Sequence, residues 1–509
     1  MRLELVDQEA RNNILEDDKS ILVSASAGSG KTTIMVKKMG IEINKITDHR
    51  TIAAITFTIR ATEEIKKKAQ QSIKKPFVVM TNDSFVENEI TRPFIRDAFG
   101  PECLGDYSVE YGTQYKFTTA NQGLEQLKRK NILGTFEDNK QNFKFKLALA
   151  IIKKSVPAQE YLTSKYRTIF IDEYQDSDQD MHRFFMFLKN ELNLKIFIVG
   201  DSKQAIYMWR GAMSNIFELL AKEKFSSYEL VTNFRCHKDI ENYANLFHNP
   251  PYFENQNDIV SNVILKEYQN RHFTHFPISF SQLIDDNTID LNKEITIISN
   301  VNNDAKRIAE FLNSNGYDFV FIPRTPIDEG LPNGFLLKEL AMFTKNAAYT
   351  IYDFLEKIGN DERTQTKAEV NRIISGLKKS ENLVVGKIVE IISSLASYLG
   401  VKIGAEEITK FCQSVCDPQF EMAFQMLDKK HKVMTVFASK GLEFDQVISF
   451  ARYYDIQNNE NMQNHYVCVT RAKEKFIMFI DKVEYYNHVL STASKNGLND
   501  AGKLFRYIG

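Results

Sequence analysis

The chain has 509 residues, too many for one hydrophobic core and enough for three or four domains of about 100–200 residues each. Its composition, 43% apolar and 26% charged, is that of a packed globular protein and excludes a largely disordered or fibrous chain. Lysine plus arginine (65) balance aspartate plus glutamate (66), so no global positive field draws polyanions, and any nucleic-acid contact must come from a local groove.

In chain order, the polar start MRLELVDQEARNN lacks the apolar segment of a signal peptide. The run SILVSAS (20–26) reads as a buried strand and leads into ASAGSGKTT (25–33), a glycine-rich turn that closes on Gly30-Lys31-Thr32 and opens a helix. Strand, glycine turn and helix start place the backbone N–H groups of Ala27, Gly28, Ser29, Gly30, Lys31, Thr32 and Thr33 around an anion. Lys31 then reaches the β- and γ-phosphates of a nucleotide, and the Thr32 hydroxyl reaches Mg²⁺. The loop begins with Ala25, where the usual phosphate-binding motif has glycine.

The next strand is TIAAITFT (51–58), which carries Phe57, and a mainly helical insert follows over 86–164. TIFIDEYQDSD (168–178) is an apolar strand running into acids. Asp172 at such a strand end can hold Mg²⁺ through its waters, and Glu173 can polarise a water for attack on the γ-phosphate. Alone, an acidic strand end is more often a helix cap or a turn. A GKT loop on a neighbouring strand makes the catalytic reading the stronger one.

KIFIVGD (195–201) leads into GDSKQAIYMWRGA (200–212), where Gln204 is placed to bond the γ-phosphate or its water. LVTNFRC carries Phe234 and Arg235, and the Pro- and Asn-rich FHNPPYFENQNDIVSN (247–262) marks a linker. A second strand set follows: EITIIS (294–299), DFVFIP (318–323), VMTVFAS (433–439), DQVISFA (445–451) and KFIMFI (475–480), interrupted over 346–424 by amphipathic helical spacing. Arg471 lies in HYVCVTRAKEK. The five scattered cysteines suit a reducing cytoplasm, and Cys412 and Cys416, one helical turn apart with no second Cys/His pair, read as buried thiols. With no apolar run of 18 residues, a soluble cytoplasmic protein is expected.

The ordered set Leu5-Val6-Asp7-Gln8, ASAGSGKTT, TFTIRATEEI, TNDSF, FIDEYQD, GDSKQAIYMWRGA, TNFR, TVFASKGLEFD and YVCVTRAKEK resembles the successive motifs of the UvrD/Rep-type superfamily 1 DNA helicases, from residue 5 to about 480. The resemblance implies an α/β fold of two RecA-like parallel-sheet motor domains of the P-loop NTPase class, each with a mainly helical accessory insert. The first motor is expected over 1–85 plus 165–248 and the second over 263–345 plus 425–509. It further implies ATP and Mg²⁺ as nucleotide and metal. Gln8 would read the adenine edge, Phe234 stack on the base and Glu443 touch the ribose. Arg235 and Arg471 would be paired arginine fingers, and Phe57, Trp209 and Arg210 would contact DNA.

Several positions depart from that pattern. Asp83 and Phe437 stand where the family has histidine, and Thr33 stands where it has an arginine that sandwiches the adenine. Both inserts are short, and little chain separates GLEFDQVI from HYVCVTRA to form a strand-separating hairpin. The wording TNDSFVENEITRPFIRDAFG, NILGTF, IDEYQDSDQDMH and FIPRTP is further similar to the helicase-like subunits of bacterial Gabija antiphage systems. That resemblance implies a partner of the OLD family with ATPase and Toprim nuclease domains. The expected function is a DNA-dependent ATPase acting on single strands or DNA ends beside that nuclease. The alternatives are a processive 3′-to-5′ repair helicase and a nucleotide-gated scaffold.

Overall fold

The computed structural model describes every residue except 1–4, 58, 111–112, 209–210, 270–271, 330, 332, 359–363, 379–383, 402, 426–428 and 457–460. The chain folds as two compact units. Unit 1 is Met1–Ser26, Gly30–Thr232 and Pro326–Cys416, and unit 2 is Ala27–Ser29, Asn233–Thr325 and Asp417–Gly509.

Unit 1 is built on six strands: β1 (Ile21–Ala25), β2 (Thr51–Thr56), β3 (Val78–Thr81), β4 (Tyr166–Ile171), β5 (Lys195–Gly200) and β6 (Ser226–Leu230). They lie in the order β6-β1-β5-β4-β2-β3, every neighbour pair parallel. Period-2 alternation splits their side chains between two cores. Ile21, Val23, Ala25, Ala54 and Phe170 meet Ile34, Met35 and Met39 of the helix Lys31–Asn44 on one face. Leu22, Ile55, Ile171 and Ile198 meet Phe85, Phe145, Phe184 and Phe185 on the other. Burial on both faces explains why β2, β4 and β5 read as continuous apolar runs.

The strand order corrects one expectation. The acid-bearing β4 is not beside the loop-bearing β1, because β5 pairs with both, Ile198 lying opposite Leu22 and Ile171. A parallel strand joined by a helical crossover is free to insert between two strands that precede it.

The first insert carries the helices Arg92–Phe99, Ala120–Lys130, Phe143–Lys154 and Val156–Lys165. It also contains two short parallel pairs, Ser108–Val109 with Ile132–Leu133 and Lys116–Phe117 with Thr135–Phe136. The second insert carries Ile351–Lys357, Thr364–Lys378, Val385–Leu399 and Ala405–Cys416, and the preceding helix Gly334–Lys345, expected with the second motor, falls in unit 1 beside them. Glu110 joins the inserts by accepting from the Ala405 N–H (3.2 Å) at the start of the last helix. A Cβ on Gly404 would sit 2.5 Å from the Val109 carbonyl oxygen, so this approach requires glycine. Cys412 is buried on that helix, whereas Cys416, one turn on, is exposed, against the expectation of two buried thiols.

Among the described residues, unit 2 has seven strands: β7 (Val263–Glu267), β8 (Ile295–Ser299), β9 (Phe319–Ile322), β10 (His431–Thr435), β11 (Phe444–Phe450), β12 (Ala472–Ile480) and β13 (Arg506–Ile508). Their order is β9-β10-β8-β11-β12-β7-β13, again wholly parallel. The run VMTVFAS is not one strand. It ends at Thr435, whose hydroxyl accepts from the Ala438 N–H (3.4 Å) and caps a short helix, Val436–Ser439. Among the described residues no helix is long and apolar enough to cross a membrane.

Candidate nucleotide site

Three adjacent strands of unit 1 deliver its polar residues. β1 ends at Ala25 and the helix Lys31–Asn44 starts six residues later, with Gly30 (φ +80°) at its N-cap and Gly28 at φ +72°. Side chains other than glycine rarely adopt that left-handed backbone. The helix opening thereby presents its first N–H groups to an anion. Lys31 and Thr32 are half-buried and Thr33 is exposed.

At the end of β4, the Asp172 N–H extends the ladder by donating to the Ile55 carbonyl (3.0 Å), and the side chain is 4% exposed. Burial raises the Asp172 carboxyl above its ordinary range and the adjacent Glu173 raises it further, while Lys31 pulls it down. Glu173 follows at φ +54°, a costly conformation for a residue with a side chain. Its N–H donates to Asp172 Oδ1 (2.9 Å), and its carboxylate accepts from Gln175 Nε2.

β5 contributes the third group. Asp201 is fully buried and its Oδ2 accepts from Gln204 Nε2 (2.7 Å), while its own N–H donates to Gln175 Oε1 (3.0 Å). Gln204, 4% exposed, is thus brought together with Asp172 and Glu173 through Gln175 and Asp201. Sequence reasoning did not single out Gln175 or Asp201. Both stand inside quoted motifs, yet no periodicity tells which amide or acid of such a motif is buried.

Within unit 2, Arg235 and Arg471 converge on Thr470. Arg235 donates to the Thr470 carbonyl (3.4 Å) and pairs with Glu443 (2.7 Å), whereas Arg471, 1% exposed, donates to the Leu442 carbonyl (2.9 Å), the Val467 carbonyl (3.1 Å) and Thr470 Oγ1 (3.4 Å). The Ala27 N–H donates to Tyr466 Oη (3.0 Å), and the Gly28 carbonyl accepts from the Phe234 N–H (2.9 Å). A Cβ on Gly28 would lie 2.3 Å from Asn233 Oδ1, a second reason for glycine there. Ser29 is buried, and the Phe234 side chain is 51% exposed, an unusual exposure for an aromatic.

Gln8 is exposed and bonds Asn12 (2.8 Å). Phe57 is half-buried against the unit 1 core. Trp209 and Arg210 lie outside the described residues. Asp83 pairs with Lys144 (2.9 Å), a use for a carboxylate that a neutral imidazole would not supply.

A family model described as UvrD/REP helicase N-terminal domain matches residues 6–146 and 113–226. The chain is 40% identical to Gabija protein GajB of Bacillus cereus strain VD045 over 94% of this chain and 97% of that protein. It is 23% identical to a probable DNA helicase II homolog of Mycoplasma genitalium over 93% of this chain and 84% of that protein. It is 24% identical to the ATP-dependent DNA helicase PcrA of Staphylococcus aureus over 44% of this chain and 37% of that protein. With two parallel-sheet motors and this likeness along nearly its whole length, the chain belongs to the UvrD/Rep helicase family, among the members typified by Gabija GajB.

Proposed function

We propose that the chain is a DNA-dependent ATPase of 3′-to-5′ helicase type that engages single strands or DNA ends. It acts in antiphage defence beside a separate OLD-family ATPase/Toprim nuclease subunit. The observation that carries the ATPase reading is the convergence at β1, β5 and β4 of an anion-ready helix start, Gln204 and the Asp172–Glu173 pair. The defence reading is supported by the likeness to GajB.

The residues fit Mg²⁺. A buried carboxylate crowded by a second acid calls for a cation, and a hydroxyl with a carboxylate suits a hard one. Thr32 and Asp172 would hold it, and when bound it neutralises charge on the β- and γ-phosphates. Lys31 binds the same phosphates, Phe234 and Gln8 hold the base, and Glu443 the ribose. Glu173 accepts the proton of a water as the water oxygen bonds to the γ-phosphorus. The bridging oxygen leaves with its electron pair on ADP. Gln204 orients that water, and Arg235 and Arg471 meet the charge that develops.

Glu173→Gln tests the reading. It should bind a fluorescent ATP analogue with unchanged affinity and lose about 10²–10⁴-fold in turnover, since an amide cannot accept the proton. Near-normal turnover in that variant would remove Glu173 from the mechanism. No turnover by the unmodified chain with any DNA would favour the scaffold alternative.

A further inference from the structure

Gln175 lies between the two groups assigned to the attacking water, and nothing in the ATPase reading uses it. Its side chain is fully buried. Its Nε2 donates to a Glu173 carboxylate oxygen, and its Oε1 accepts from the Asp201 N–H (3.0 Å). Asp201, also fully buried, accepts from Gln204 Nε2 (2.7 Å) on Oδ2 and from the Lys203 N–H (3.1 Å) on Oδ1.

The orientation of the amide is determined by its neighbours. Turned over, it would set its oxygen against the Glu173 carboxylate and its NH₂ against the Asp201 N–H, losing both bonds. The space it occupies is also kept for it. A Cβ on Gly200 would come within 2.6 Å of Gln175 Oε1 and 3.1 Å of the Tyr174 nitrogen.

We propose that Gln175 is a positioning residue for hydrolysis, joining the water-activating Glu173 to the phosphate-sensing Gln204 through Asp201. The proposal rests on the ATPase reading above. Glu173 sits on a left-handed backbone, so the placement of its carboxylate needs support from outside its own residue. A neutral amide donor supplies that support without competing for the proton that the attacking water must give up. Gln204 bonds the same Asp201 that anchors Gln175, so a shift of Gln204 on meeting the γ-phosphate is transmitted to Glu173. A buried network of this kind has a coupling that a double-mutant cycle can read.

The experiment compares kcat, KM and melting temperature of the full chain with single-stranded DNA for Gln175→Met, Gln204→Ala and the double variant. Gln175→Met keeps the side-chain length and removes both hydrogen bonds. It should lower kcat by about 10–100-fold, leave KM within about threefold and shift melting by only a few degrees. The double variant should be no slower than the slower single variant, within about threefold. Gln175→Glu keeps the acceptor for Asp201 but sets a carboxylate against Glu173. It should show the same kcat loss, and it serves if the Met variant does not fold. Unchanged kcat in a folded Gln175 variant, a double-variant loss equal to the product of the single losses, or a rate loss that only tracks melting would overturn the assignment. An unmodified chain without ATP turnover would instead overturn the ATPase reading itself.

Discussion

Asp7 accepts from Arg11 Nε (2.8 Å) and Nη2 (2.9 Å), from the Val231 N–H (2.8 Å), and from the N–H (2.9 Å) and hydroxyl (2.8 Å) of Thr232. Burial would raise its carboxyl, but Arg11, Thr232 and Val231 together hold it down at about 2, below the ordinary 3.8. A depressed carboxylate stabilises fully above its unfolded value and loses that contribution as pH falls through its folded one, a difference of roughly 2 kcal/mol here. Asp7→Ala should therefore melt earlier than the parent by a margin that is flat from pH 8 to about 5 and narrows below about 4. In the sequence, Leu5-Val6-Asp7-Gln8 draws attention to Gln8, since nothing in four residues says which side chain meets the backbone just past the strand Ser226–Leu230. Thr33, by contrast, is as accessible as its place in the loop suggests. In the proposed nucleotide site, threonine where the family stacks an arginine would leave the base fewer contacts. GTP should be hydrolysed at a substantial fraction of the ATP rate, and Thr33→Arg should shift the ratio several-fold toward ATP in a competition assay.

At the scale of elements, the strands legible in the sequence are those whose apolar runs are buried on both faces, such as β4 and β8. Those that escape notice are mostly short or at a sheet edge, although Val263–Glu267, buried and paired on both sides, escapes as well. Val78–Thr81 has four half-buried residues, Ser226–Leu230 alternates with exposed polar positions, and Arg506–Ile508 has three residues. Their strand state comes from the neighbour they pair with more than from their own pattern. Helix packing carries information that periodicity lacks altogether. His465 of the helix Met462–Val469 is fully buried, bonded to His248 Nε2 (3.0 Å) at the end of Lys238–His248 and to Tyr485 Oη (2.7 Å) of Val483–Lys495. Burial, with His488 nearby, pushes this imidazole down to about 3 from 6.5. The unfolded chain takes up a proton below about pH 6.5 that the folded helix trio refuses, so stability falls as pH drops through that value. By pH 5 the loss is about 2 kcal/mol. His465→Gln should lower stability at pH 8, where the native hydrogen bonds are intact, yet show a shallower decline between pH 7 and pH 5 in parallel melting series.

Across the whole molecule, two all-parallel sheets with separate cores were legible from two strand sets, whereas the boundary between the units at 232/233 was not. The Pro- and Asn-rich stretch 247–262 is a local signal, but membership of a unit is decided by which core a segment buries itself against. The same principle bears on what hydrolysis accomplishes. Between β11, which ends at Phe450, and the helix beginning at Met462, the family places a strand-separating hairpin. Here Tyr453, Tyr454 and Ile456 are buried within unit 2 at 7%, 1% and 2% exposure. Arg452 is paired with Asp481, Asp455 with Lys482 (3.4 Å), and Tyr453 Oη donates to Asp304 (2.9 Å). Residues committed to the core in this way cannot project as a wedge, and 457–460 add only four more. Opening each base-pair step must overcome stacking of about 1.4 kcal/mol on average, so a motor without a firm wedge should slip at a blunt duplex while still consuming ATP. The purified chain should hydrolyse ATP in a DNA-dependent manner yet displace long duplexes poorly, doing better from a 3′ single-stranded tail. Strand displacement and phosphate release, followed together on substrates of increasing duplex length, check this. Processive unwinding of several hundred base pairs by the isolated chain would overturn it and restore the repair-helicase alternative.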